Sequence, residues 1–204
     1  MTARRDPAGA LGPAFCRRPA EDVARGLLGA WLVSTIGGET AIGRIVECEA
    51  YLGPHDPASH AAERIGRTAR NAAMFGPAGR AYVYRIYGLH WCLNVVTGTV
   101  DVPAAVLIRA IAPVEGMAVM RTRRSARPEL PDSALGRGPG HAACALGITG
   151  ALDGHALQRP PLLLARGQPV PDTDVDRGPR VGVTRAKDWP LRFWVRAHPA
   201  VSRR

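Results

Sequence analysis

Lysine is almost missing from this 204-residue chain: Lys187 is the only one, so 26 of the 27 basic residues are arginines. Apart from the N-terminus, that leaves a single amine able to form a Schiff base. No apolar run approaches the ~18–20 residues of a membrane span. The first 22 residues carry an Arg pair but no continuous apolar stretch, so no secretory signal is expected. The four cysteines (Cys16, Cys48, Cys92, Cys144) form no CxxC pair. That argues against a zinc site or a disulfide framework and for reduced thiols in a cytoplasmic setting. Aromatics are sparse at 5%.

What is present is positive charge. The formal net charge is +10, a field that attracts polyanions, although a GC-rich genome gives the same arginine bias. Hydrophobic residues at 46% and charged residues at 22% describe a globular chain rather than a disordered one. The length suits one domain with a core of its own.

Residues 1–20 read as a loose lead-in, and residues 21–204 as a single domain. Acids at Glu21 and Asp22 open a helix that Gly29 can end. AWLVSTI reads as a strand, Gly37-Gly38 as a turn, and ETAIGRIVECEAY as a second strand ending at Tyr51. Alternation puts Val46, Cys48 and Ala50 on one face, and Glu47, Glu49 and Tyr51 on the other. RAYVYRIY and LHWCLNVVTG read as strands on either side of Gly88. AAVLIRAI is an apolar strand interrupted by Arg109. Pro113 opens a helix through PVEGMAVMRTRR, GHAACALGI is a short helix, and RVGVTR and LRFWVRA are two terminal strands. The fold class is α+β: a curved, mostly antiparallel sheet with short helices around it.

Four features point to chemistry. Glu47 and Glu49 stand two apart on a strand, roughly 6–7 Å by the strand rise. They either pair with neighbouring arginines or divide into one catalytic and one structural carboxylate. All four tyrosines (Tyr51, Tyr82, Tyr84, Tyr87) fall in two segments, as core aromatics or as a surface that stacks on bases. His55, Asp56 and His60 lie in one loop, with a spacing that fits neither a helical pair nor a zinc signature. Arg109, inside an apolar strand, needs an anion or several acceptors, and Glu47 or Glu49 can supply them.

GRIVECEAYLGPHDPASHA, GRTARNAAMF, YVYRIYGLHWCLNVV, AAVLIRAIAPVEGM and RVGVTR…LRFWVR closely resemble the alkyladenine (3-methyladenine) DNA glycosylases. The likeness runs from about Asp22 to Ser202 in order. It implies a monofunctional repair enzyme that binds double-stranded DNA, flips out an alkylated or deaminated purine and hydrolyses its N-glycosidic bond. No metal and no cofactor are implied. By position, Glu49 matches the general base, Arg109 an arginine that holds the attacking water, and the Val181 carbonyl a further ligand of that water. Tyr51, His60 and Tyr84 match residues that sandwich the flipped base. Asn94 matches a side chain that crowds the guanine amino group, and Tyr87 the wedge left in the duplex. Gly140 and His141 stand near a phosphate contact, where family members often carry lysine. A lone lysine outside these motifs fits attack by water rather than by an amine. A monomer in the cytoplasm of a bacterial-type cell, associated with the nucleoid, completes the expectation. The competing readings are a metal-dependent nuclease built on Glu47, Glu49, Asp56 and the histidines, and a nucleic-acid-binding protein without catalysis.

Overall fold

In a computed structural model, residues 8–202 are described. The chain runs through β1 (Ala8–Ala10), α1 (Pro13–Cys16), α2 (Ala20–Leu27), β2 (Trp31–Ser34) and β3 (Ala41–Tyr51). Next come β4 (Ala81–Ile86), β5 (His90–Thr97), β6 (Ala104–Glu115), α3 (Met117–Arg123) and α4 (Pro139–Ala145). It ends with β7 (Gln158–Arg159), β8 (Leu162–Arg166), β9 (Val175–Gly178) and β10 (Arg192–Val195). The strands form one curved sheet in the order β1-β8-β2-β3-β6-β5-β4, and the strand pairings are antiparallel. This is the α+β architecture expected.

β3 is the spine. β6 lies along one side of it, from Ile42 to Tyr51. On the other side β2 pairs with residues 41–44 and β10 with residues 47–49. Helices α2 and α4 cover one face of the sheet. Val23 and Leu27 of α2 and Leu146 after α4 join Ile45, Cys48, Ala50, Val106 and Ile108 in the main core. Burying each such side chain contributes about 1.5–3 kcal/mol. The helix expected at Glu21–Asp22 is present as α2.

Four expectations are corrected. The register slips between Ile45 and Glu47, so strict alternation fails there. Ile45 enters the main core, and Val46 packs instead against Ala110 and Ala200. Pro113 opens no helix: β6 continues through it to Glu115, opposite the slip at Ile42/Gly43 where a missing N–H is tolerated. α3 starts only after Gly116, whose φ is 76° and whose added Cβ would lie 2.2 Å from the Thr40 carbonyl. RVGVTR is a loop, because Pro179 lacks a donor and Gly182 has φ 77°. In the lead-in, residues 1–7 lie outside the described residues, whereas Ala8–Ala10 pairs with β8 and Pro13–Cys16 is helical, with Cys16 fully buried.

Candidate active site

The face of the sheet away from α2 and α4 carries a row of side chains across four strands. Glu49 stands opposite Leu107, Leu107 opposite Asn94, and Asn94 opposite Tyr82. One step along, Tyr51 faces Ala105 and Tyr84 faces Cys92. Period-two alternation therefore brings residues from 49 to 109 in sequence to one surface. A cavity of about 280 Å³ opens over this row. The 53–62 loop, with His60, and the 181–184 segment complete its walls.

Glu49 is fully buried at the floor. Its Oε1 accepts from the Val181 N–H at 2.7 Å and lies 3.3 Å from an Arg109 guanidinium nitrogen; its Oε2 accepts from the Tyr51 hydroxyl at 3.1 Å. Burial raises the Glu49 pKa above the ordinary carboxylate value of 4.5, and Glu47 adds to that. Arg109, the Val181 amide and the Tyr51 hydroxyl pull it back. Burial works against the Arg109 charge too, but Glu49 and Glu47 outweigh it and hold the guanidinium protonated.

Glu47 takes the structural share. Its Oε1 accepts from Arg109 Nε at 2.9 Å, Arg192 Nε at 2.7 Å and the Ser202 hydroxyl at 2.9 Å. Its Oε2 accepts from the Ser202 N–H at 2.7 Å. Arg109 also donates to the Ser202 hydroxyl at 3.0 Å. One arginine thus bridges both carboxylates, so both pair with a neighbouring arginine, and Glu47 is the more fully enclosed by donors.

The walls are aromatic. The His60 ring meets the Tyr84 ring edge-on at 4.5 Å between centroids, and His60 Nδ1 shares a 2.8 Å hydrogen bond with the Tyr82 hydroxyl. Burial and nearby Arg70 lower the His60 pKa, so its imidazole is neutral at pH 7. Burial pushes the Tyr82 phenol up to about 12 and raises Tyr84 and Tyr51 as well. The phenols are therefore hydrogen-bond donors. The Asn94 side-chain amide donates to the Tyr82 carbonyl at 3.1 Å. Asn71 fixes the loop below His60 by donating to the His60 and Gly66 carbonyls at 2.9 and 2.8 Å.

Several candidates lie elsewhere. Tyr87 sits in the β4–β5 hairpin, 87% exposed, with φ at 53°. Such a backbone is uncommon for a bulky non-glycine residue. Gly140 packs on His90, whose Cβ lies 2.8 Å from where a Cβ on Gly140 would be. His141 is exposed and donates from Nδ1 to the Arg137 carbonyl at 2.8 Å. Val181 reaches the site, but the contact recorded is its N–H on Glu49 rather than its carbonyl. The His55–Asp56–His60 loop does not act as one cluster. His55 pairs with Glu63 at 3.0 Å on the surface, while Asp56 is fully buried against Arg180. Among the described residues, no three His, Cys, Asp or Glu side chains are grouped to hold a metal.

Four contributors were not singled out in the sequence: Asn71, Arg180, Arg192 and Ser202. Ser202 carried no signal. Arg180 carried a weak one, as a charged residue beside Val181 in a motif already noted.

Residues 14–199 match the model of the family described as methylpurine-DNA glycosylase. A protein of Myxococcus xanthus named "Putative 3-methyladenine DNA glycosylase" is 50% identical over 196 residues, covering 95% of this chain and 93% of that protein. One of the same name from Methanoculleus marisnigri is 48% identical, over 95% of this chain and 99% of its own. One from Streptomyces avermitilis is 47% identical over 92% and 88%. The row of residues over the sheet therefore stands in a chain that belongs to the methylpurine-DNA glycosylase family, DNA-repair enzymes that hydrolyse N-glycosyl bonds.

Proposed function

We propose that the protein excises alkylated and deaminated purines, 3-methyladenine and hypoxanthine among them, from double-stranded DNA by flipping the base into the cavity over Glu49. The observation that carries this reading is the buried Glu49–Arg109 pair at the floor of a tyrosine-walled cavity. In this mechanism Glu49 takes a proton from water as its oxygen attacks the anomeric carbon. The base leaves with the glycosidic electron pair, and the carboxylate beside the oxocarbenium-like centre stabilises its charge. Arg109 orients that water. Val181 holds Glu49 through its N–H and offers its carbonyl to the water. Both catalytic partners are held by strand registers rather than by a mobile lid.

Tyr51, His60 and Tyr84 sandwich the base, and Asn94 crowds a guanine amino group. A positively charged alkylated base is an electron-poor partner for tyrosine faces and a good leaving group. Damaged bases also pair and stack poorly, so flipping them costs less. Hypoxanthine is neutral and lacks that leaving-group advantage, so it depends more on the positioned water and on the ease of flipping. The catalytic unit takes in β1 and α1 together with the rest of the sheet, and it acts as a monomer, without metal or cofactor, on the nucleoid in the cytoplasm.

Tyr87 is the wedge that fills the stack after the base has left. Tyr87→Ala is expected to weaken binding to lesion duplex by about 1–3 kcal/mol, the worth of one base–aromatic stack. Fluorescence titration of a lesion duplex checks it, and unchanged affinity removes Tyr87 from that role.

His141 is the phosphate contact, and its geometry makes the contact depend on pH. Because Nδ1 donates to the Arg137 carbonyl, the neutral ring turns an acceptor, Nε2, outward. Burial lowers the His141 pKa below 6.5. Only the protonated ring offers a second N–H, so DNA affinity is expected to rise as pH falls below that value. His141→Gln should flatten the dependence, and His141→Lys should raise affinity across the range; titrations between pH 5 and 8 read both.

The test of the reaction is a duplex with one hypoxanthine or one methylated purine, incubated in EDTA and then treated with alkali. A break at the lesion is expected, with no borohydride-trapped adduct. Folded protein that releases none of these bases would refute the proposal, and metal-dependent scission without alkali would favour the nuclease.

A further inference from the structure

The 53–62 loop and the 179–184 segment each give a wall to the cavity, and neither belongs to the sheet. What joins them is a salt bridge with no solvent contact on either side chain. Arg180 donates to both Asp56 oxygens, at 2.5 and 2.9 Å, and to the Ala50 carbonyl of β3 at 3.0 Å. The same Asp56 carboxylate accepts from the Leu52 and Ala58 amides at 3.2 and 3.0 Å. The Arg180 guanidinium also lies 4.6 Å from the centre of the Tyr51 ring. Arg180 precedes Val181, whose N–H is the donor to Glu49.

We infer that the Asp56–Arg180 pair is a positioning clamp, which fixes the Val181 amide on Glu49 and the distance between Tyr51 and the His60 loop. A planar guanidinium bound in bidentate fashion sets an angle as well as a distance. Its neighbours on either side of the pair each carry a side of the cavity. Tyr51 adjoins the Ala50 carbonyl that Arg180 holds, and His60 follows Ala58 by two residues. Neither Asp56 nor Arg180 lines the cavity, so both act through other groups.

The clamp's catalytic consequences rest on the reaction proposed at Glu49; its geometry does not. Arg180→Lys keeps the charge and loses the fork, and Asp56→Asn keeps the shape and loses the charge. In either variant, shown by circular dichroism to be folded, the single-turnover rate on alkylated duplex is expected to fall roughly 10–100-fold, the scale of an ångström of misplacement. A merely structural pair would not move the pH profile; the clamp should. The groups facing Glu49 are Arg109 from β6, Glu47 and Tyr51 from β3, Tyr84 from β4, Arg192 alongside on β10, and the Val181 N–H. These changes loosen the Val181 N–H and, through the contact of Arg180 with its ring, Tyr51. Weakening either donor removes support for the carboxylate, so both effects move the acid limb to higher pH.

An independent readout needs no activity. In the wild-type protein the Val181 amide should exchange with solvent as slowly as amides of β3, and Arg180→Lys should speed that exchange at least tenfold. Fast wild-type exchange of the Val181 amide would overturn the clamp, whatever the variants do. So would a folded Arg180→Lys protein with an unchanged rate and acid limb. A wild-type protein inert on lesion DNA but with a slow Val181 amide would refute the reaction and leave the clamp standing.

Discussion

Glu49→Gln is expected to bind lesion DNA normally and to release base on the order of 10³-fold more slowly, within the range for losing a positioned general base. The fold should survive. A glutamine carbonyl can take the Val181 N–H, its amide can donate to the Tyr51 hydroxyl, and Arg109 keeps Glu47 as counter-ion. Removing a charge from a fully buried site also removes its desolvation penalty. The wild-type rate should climb with pH as Glu49 ionises, with its midpoint above 4.5 because burial raises that pKa. Gel analysis of alkali-treated duplex across pH reads both quantities. Retained turnover in Glu49→Gln takes Glu49 out of the chemistry.

Glu47→Ala is expected to lower stability by about 3–5 kcal/mol, the scale for breaking a buried ion pair from one side. Three partners lose their acceptor at once: Arg109, Arg192 and Ser202. For a chain of this size the melting temperature should fall by roughly 6–20 °C, at about 2–4 °C per kcal/mol. Activity should fall too, since Arg109 then has Glu49 as its sole carboxylate partner and is drawn onto it. Removing Glu47's repulsion moves the acid limb to lower pH, opposite in sign to the loss of the Val181 donor. Calorimetry and the pH–rate profile together separate the two carboxylates: Glu49 should change the rate and spare the fold, and Glu47 should change both. A melting temperature within 2 °C of wild type would show that the Glu47 network contributes nothing to the fold.

Much of this site was legible from local pattern. Alternation in ECEAY places Glu47, Glu49 and Tyr51 together, and an arginine inside AAVLIRAI demands the acceptors it proves to have. What could not be read were partners set by distant segments. Asp56 meets Arg180 across 124 residues, and no spacing within HDPASH signals that pairing. Without it, the loop looked like a possible trio of polar side chains. The slip at Val46 is similarly invisible, because a bulge depends on the partner strand as much as on its own residues. RVGVTR failed in the other direction. Its alternation suits a strand, but Pro179 and the left-handed Gly182 turn its amides away from a ladder, and one of them serves Glu49.

The Glu47 cage also has a history in time. Its amide donor Ser202 lies 155 residues beyond Glu47. During synthesis at about 5–20 residues per second, Glu47 waits roughly 8–30 s for that partner to be made. The β3–β6 ladder can form well before then, with Arg109 already on Glu47. Until Arg192 and Ser202 are made, Glu47 has Arg109 alone among the partners named above, and β10 is missing from the edge of β3. A chain ended between Arg109 and Arg192 therefore keeps the β3–β6 residues and lacks the donors that close the back of Glu47.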